Sequence, residues 1–172
     1  MLEVIKNRRA CRSFVSTPVE QEKIEEIVNA GLLAPSGMNR QTSVILVVTD
    51  KKKRDQLAEL NRKLLGRPVQ AETFYNAPVI LFVMSHKDGL STHDGAATIE
   101  NMLLEATNQG LASCWIHRAK EELETEEFKE MFKDLNINFD EYIGIGHVIL
   151  GYPSKDWKAN EKIIRDNRVY YI

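Results

Sequence analysis

Hydrophobic residues follow two rhythms along this chain, one of helical spacing and one of short continuous runs. Leu2, Val4 and Ile5 predict a short helix over residues 2 to about 8. Thr17-Pro18-Val19-Glu20 has the form of a capping box, with Thr at the N-cap, Pro at the first helical position and Glu at the third. The helix it predicts carries Ile24, Ile27, Val28 and Leu32 on one face and stops near Ala34-Pro35, since a residue before proline is pushed out of the helical region. Val44 to Val48 is an unbroken β-branched run, which predicts a strand covered on both faces.

The alternation continues to the end of the chain. Lys51 to Leu65 places Leu57, Leu60 and Leu64 at helical spacing on an otherwise polar helix. A second buried strand is predicted over Pro78 to Met84. A long helix follows from about Thr92 to Gln109, with Gly110 as its C-terminal cap. Ala112 to Ile116 reads as a third strand. Next comes a charged helix to about Leu135 that buries Phe128, Met131, Phe132 and Leu135, and a fourth strand over Ile143 to Leu150. Arg168 to Ile172 is a last strand candidate. Strands alternating with helices predict an α+β or α/β sandwich, and 172 residues without a linker or repeat predict one domain over 1–172.

Composition narrows the class. Hydrophobic residues make up 43% and charged residues 28%, an ordinary globular balance. A net charge of −2 supplies no bulk attraction to nucleic acid or to a membrane surface. No apolar run approaches the roughly 20 residues of a membrane helix, and the N-terminal stretch lacks the apolar core of a signal peptide. Two cysteines, Cys11 and Cys114, fit neither a disulfide framework nor a zinc spacing. A reducing, cytoplasmic setting is the expectation.

Three segments could carry chemistry. Lys6, Arg8, Arg9 and Arg12 are either a solvated helix end or an anion site, because guanidinium groups bind phosphate bidentately. Residues 34–41, Ala-Pro-Ser-Gly-Met-Asn-Arg-Gln, are either a helix-ending loop or a set of neutral donors and acceptors suited to a heteroaromatic ring or a polyol. Residues 110–118 read first as a core strand with Trp115 packed inward and Cys114 as a small buried hydrophobe. His147, inside an apolar strand, reads as a satisfied structural histidine. No phosphate loop, nucleophile elbow, zinc spacing or dinucleotide glycine fingerprint is present. An enzyme built this way draws its reactive atom from a cofactor.

Taken in order, four stretches resemble the nitroreductase family of FMN-dependent oxidoreductases. They are Arg8-Arg9-Ala10-Cys11-Arg12-Ser13-Phe14; Ala34 through Gln41; Glu100 through Ala106 running into Gly110 through Ile116; and Gly144-Ile145-Gly146 leading to Leu150-Gly151-Tyr152-Pro153. The resemblance covers essentially the whole chain. It implies an α+β fold with a central, mostly antiparallel sheet flanked by helices, built as an intertwined homodimer with FMN at the subunit interface.

By the same resemblance, Arg8, Arg9, Ala10 and Arg12 line the cofactor, with Arg12 near the pyrimidine edge of the flavin. Pro35, Ser36, Gly37, Asn39 and Gln41 hold the ring and the ribityl chain from the partner subunit or its edge. Trp115 and Ile116 approach the reactive nitrogen, Asn61 matches an amide that contacts the ring in some members, and Arg165 or Lys162 completes the phosphate site. The implied reaction is ping-pong hydride transfer from NADH or NADPH to a small acceptor such as a nitroaromatic or a quinone, with protons from water and no essential acid or base side chain. Dehalogenation, azole oxidation, flavin fragmentation and a non-catalytic flavin-binding module are the alternatives on the same fold. Nucleic acid and membrane are not expected partners. Two positions depart from the family pattern: Ala10 stands where many members have Ser, and His117 where a small or acidic residue is common.

Overall fold

The strand β2 (Val79–His86) dictates the architecture. Val79 through Ser85 are buried, with Ile80, Phe82 and Met84 entering one core and Val79, Leu81 and Val83 the other. A strand that is apolar on both faces must be covered on both sides. It pairs antiparallel with β1 (Ser43–Val48) and with β4 (Tyr142–Gly151), and β4 pairs antiparallel with β3 (Ala112–Ile116). The sheet order is β1-β2-β4-β3, four antiparallel strands between helices, an α+β fold. The computed structural model describes residues 1–172.

One face of the sheet is covered by α3 (Lys51–Leu64), α5 (Ala119–Leu123) and α6 (Glu126–Met131), which deliver Leu57, Leu60, Leu123 and Phe128. Phe82 and Phe128 stack there with centroids 4.6 Å apart. The other face carries α2 (Gln21–Leu32) and α4 (Ser91–Asn108), which contribute Ile24, Ile27, Ile99, Met102, Leu103 and Ala106. The short α1 (Glu3–Asn7) lies beside α4. No helix is long and apolar enough to cross a membrane.

β4 bends where the sheet turns toward the site. Val83 pairs with Gly146 and Met84 with Gly144, so Ile145 is the extra residue of a bulge. Gly144 is required by close approach, because a Cβ there would lie 2.1 Å from the Ala119 carbonyl oxygen. The free edge of β3 is covered by the N-terminal segment. Ala10 bridges Ser113 in parallel, and the Cys11 N–H donates to the Ser113 oxygen at 2.8 Å. Val15 N–H donates to Tyr152 O at 3.0 Å, and Ser154 N–H to Ser13 O at 3.0 Å.

Several sequence expectations change. The capping box at Thr17 does not form. α2 begins at Gln21, with Glu20 at the N-cap and no side-chain cap bond. The Glu20 carboxylate instead accepts the Tyr152 hydroxyl at 2.6 Å, a tertiary contact that outbids the local one. β1 is an edge strand, and its Val47 is exposed rather than covered. Leu32, Leu64 and Leu135 face solvent. The charged helix breaks into α5, α6 and a 3-10 turn at Lys133–Leu135. Arg168–Ile172 forms no strand and is exposed.

Candidate functional site

The site begins where β3 ends. Alternation along β3 turns Cys114 and Ile116 into the core and Trp115 outward, 41% exposed, which overturns the expectation of an inward Trp115. The indole lies on β4, where a Cβ at Gly146 would stand 2.2 Å from Nε1. Arg12, Trp115, Ile116 and His117 line a cavity of about 370 Å³ whose far wall includes Arg67 and Tyr75. The Ala10–Ser113 bridge brings Arg12 to this wall; Glu72 lines the same cavity but forms no ion pair with it. Cys11 and Cys114 are buried, and burial pushes both thiols up, as befits small core residues.

Beneath the cavity runs a buried polar network. Asn61, Glu122 and His147 are all 0% exposed. His147 Nε2 meets Glu122 Oε2 at 2.7 Å, and its Nδ1 faces the Ile116 carbonyl at 3.3 Å. Asn61 Nδ2 donates to the His117 carbonyl at 2.9 Å and to Glu122 Oε1 at 2.5 Å. Two consecutive carbonyls of the cavity wall are thus gripped from below. The Asn61 Oδ1 has no partner. Just beyond, Arg118 adopts φ 84°, a left-handed conformation that is costly for a long side chain.

The second group of site residues sits on another edge. In the loop between α2 and β1, Met38, Asn39 and Gln41 all have positive φ, at 53°, 55° and 53°. Ser36 Oγ accepts the Gln41 N–H at 2.9 Å, and Gln41 Nε2 donates to Asn39 Oδ1 at 3.2 Å. Asp94, in the first turn of α4, accepts the Gly37 N–H at 3.0 Å. Arg40 pairs with Asp88 at 2.9 Å, and the Asp88 carboxyl is held low by the Leu90 N–H above all. Pro35, Ser36 and Gln41 line a separate cavity of about 160 Å³.

These two groups do not meet within one chain. The loop feeds β1 and the arginine segment lies along β3, and these are opposite edges of the sheet. Three inter-strand steps put them on the order of 14 Å apart.

A family model described as the nitroreductase family matches residues 5–152. The chain belongs to the nitroreductase family. A nitroreductase from Bacteroides fragilis, solved with bound FMN, superposes with a TM-score of 0.91 at 27% identity, covering 99% of this chain and 97% of that one. An FMN-dependent nitroreductase from Clostridium difficile gives 0.80 at 26% identity, covering 99% and 98%. Among curated proteins, the FMN reductase [NAD(P)H] of Bacillus subtilis is 31% identical over 123 residues, 65% of this chain and 47% of that protein.

Within this nitroreductase-family framework the expected residues take different roles. Arg12, Trp115 and Ile116 share the first cavity, with exposed Ala10 beside them. Arg8 leans toward Glu100 at 3.6 Å. Arg9 is spent on structure: its guanidinium donates to the carbonyls of Lys6, Arg8 and Asn160, the last at 2.7 Å. That bond seats the start of the C-terminal tail beside the arginine cluster, while Lys162 and Arg165 further along are exposed. Asn61 lies under the cavity wall rather than on it. Asp94, Arg67, Tyr75 and Glu122 were not singled out from sequence. Asp94 and Glu122 matter through bonds to residues 37, 61 and 147, which no local pattern announces.

Proposed function

We propose that this protein is an FMN-dependent oxidoreductase that carries hydride from NADH or NADPH to a nitroaromatic, quinone or similar small acceptor by ping-pong exchange, as a homodimer of one-domain chains in the cytoplasm. The observation that carries the reading is an unpaired Arg12 beside the exposed Trp115–His117 edge in one cavity of a nitroreductase-family fold. The residues present fit FMN. They offer an arginine that forms no ion pair, further basic residues for a phosphate, and a loop of hydroxyl and amide groups.

FMN held there would supply the hydride chemistry between nicotinamide and acceptor. The chain's own residues would bind and polarise it. Arg12 would stabilise negative charge on the ring and so favour its reduction. Arg8, with Lys162 or Arg165, supplies charge to the phosphate. Ser36, Asn39 and Gln41 match the polyol and ring heteroatoms. Trp115 and Ile116 give the ring an apolar flank.

The homodimer reading rests on the separation of the two residue groups across the sheet. A second copy can set its 34–41 loop against the Arg12–Trp115 cavity of the first, completing two equivalent sites. The tail supports this, since Ile163, Ile164, Val169, Tyr170, Tyr171 and Ile172 are exposed on the single chain.

The test is an absorbance spectrum of protein incubated with FMN, desalted, then mixed anaerobically with NADH or NADPH. A retained flavin spectrum that bleaches supports the reading, and Arg12→Ala should weaken retention or slow bleaching. No retained flavin, or flavin that neither nicotinamide reduces, would overturn it.

A further inference from the structure

His117 is the one residue of the cavity wall whose ordinary titration range spans neutral pH. Its backbone is fixed to an unusual degree. Asn61 holds its carbonyl, His147 faces the carbonyl of its predecessor, and the left-handed Arg118 turns the chain away immediately after it. The His117 side chain is left exposed at the cavity. Such a platform of fully buried polar groups positions the backbone of the cavity wall, a role that apolar residues of similar volume would not fill.

The charges around His117 are mixed. Glu121, in α5, is tied to Arg118 Nη1 at 2.5 Å. Burial pushes the Glu121 carboxyl up, but the Arg118 hydrogen bond, its own backbone N–H and the positive fields of Arg118 and His117 outweigh this and leave it lowered. Arg12 faces the cavity from the N-terminal segment, and Arg67, Glu72 and Tyr75 from the segment after α3. Glu122 from α5 and His147 from β4 lie below.

We propose that His117, exposed on the cavity wall next to Trp115 and Ile116, is the proton donor to the acceptor, such as a quinone, in the oxidative half of the reaction. The inference rests on the flavin reading above and replaces water as the immediate proton source. A quinone that takes up hydride, originally from NAD(P)H, gains two electrons and one proton and carries an oxyanion. The imidazolium N–H bond breaks as an O–H bond forms on that oxygen, which yields the hydroquinone. The neutral imidazole then regains a proton from water.

The experiment uses FMN-loaded wild type and His117→Gln. Reoxidation of the reduced protein is timed with a benzoquinone and with ferricyanide, which takes electrons without a proton. In His117→Gln the quinone-to-ferricyanide rate ratio should fall by about a hundredfold, the scale of a lost general acid. A second readout needs no turnover. Calorimetric titration of the oxidised holoprotein with dinitrophenolate above neutral pH, in two buffers of different ionisation enthalpy, should show proton uptake in wild type and none in His117→Gln. An unchanged ratio, or proton uptake that survives in His117→Gln, would overturn the role of His117. If FMN is not retained or not bleached by nicotinamide, the flavin reading fails first and takes this inference with it.

Discussion

Gly146 lies directly beneath the Trp115 indole, so close that a Cβ would stand 2.2 Å from Nε1. Two residues of adjacent strands thus set how flat the aromatic wall of the cavity lies. Gly146→Ala should lift the indole and cost about 1–3 kcal/mol, the usual range for overpacking. Thermal unfolding reads the cost. Quenching of Trp115 fluorescence by added FMN, measured in a Trp157→Phe background, reads the displacement and should weaken.

Asp94 is the only side chain that accepts the Gly37 N–H, and it reaches there from α4. Asp94→Ala leaves that N–H without its partner, at about 1–3 kcal/mol. Because the same bond holds the 36–41 loop, FMN retention should weaken by about tenfold, equivalent to about 1.4 kcal/mol. Equilibrium dialysis against FMN provides the check; equal affinity would detach the loop from the cofactor.

Glu122 and His147 form a pair that is wholly buried. Glu122→Ala removes the carboxyl that bonds both His147 and Asn61 and leaves these buried groups without it, at about 1–3 kcal/mol for each. Denaturant unfolding of the apoprotein measures it. A loss under about 1 kcal/mol would mean that the pair contributes little to the fold.

Arg118 holds φ 84° at the price of steric conflict with its own Cβ. Arg118→Ala loses the Glu121 ion pair and keeps the conflict, whereas Arg118→Gly loses both. The glycine variant should therefore be more stable than the alanine variant by about 1 kcal/mol. Parallel melting curves decide the order.

Glu121 has a lowered carboxyl in the folded chain. A folded-state value below the unfolded one adds stability that is present above the ordinary carboxylate range and is lost as pH falls through the folded value. The stability difference between wild type and Glu121→Gln should thus be constant near neutrality and shrink in acid. Chemical unfolding at a series of pH values tests the sign.

The layer structure was legible because it is written in local periodicity. The apolar face of α4, Gly110 after its end and the unbroken run of β2 each say what they become. Legibility fails where a distant partner decides. Glu20 looks like a capping-box residue, but Tyr152, far along the chain, claims its carboxylate. Trp115 looks like core until the alternation of β3 is anchored by Cys114 and Ile116. The family resemblance named the segments around Arg12 and Gln41, yet only the strand order shows that they lie on opposite edges of one chain. The platform of residues 61, 122 and 147 was beyond any window, since its members come from α3, α5 and β4.

The hydrogen bonds that tie residues 9–15 to residues 113 and 152–160 also set an order in time. Residues 9–15 are made well before these partners, which run from Ser113 to Asn160. The arginine wall of the cavity therefore cannot close around a cofactor until residues 113 and 152–160 have left the ribosomal tunnel. Flavin capture has to wait for that stretch, and truncation before Tyr152 should release a chain that is unable to achieve it.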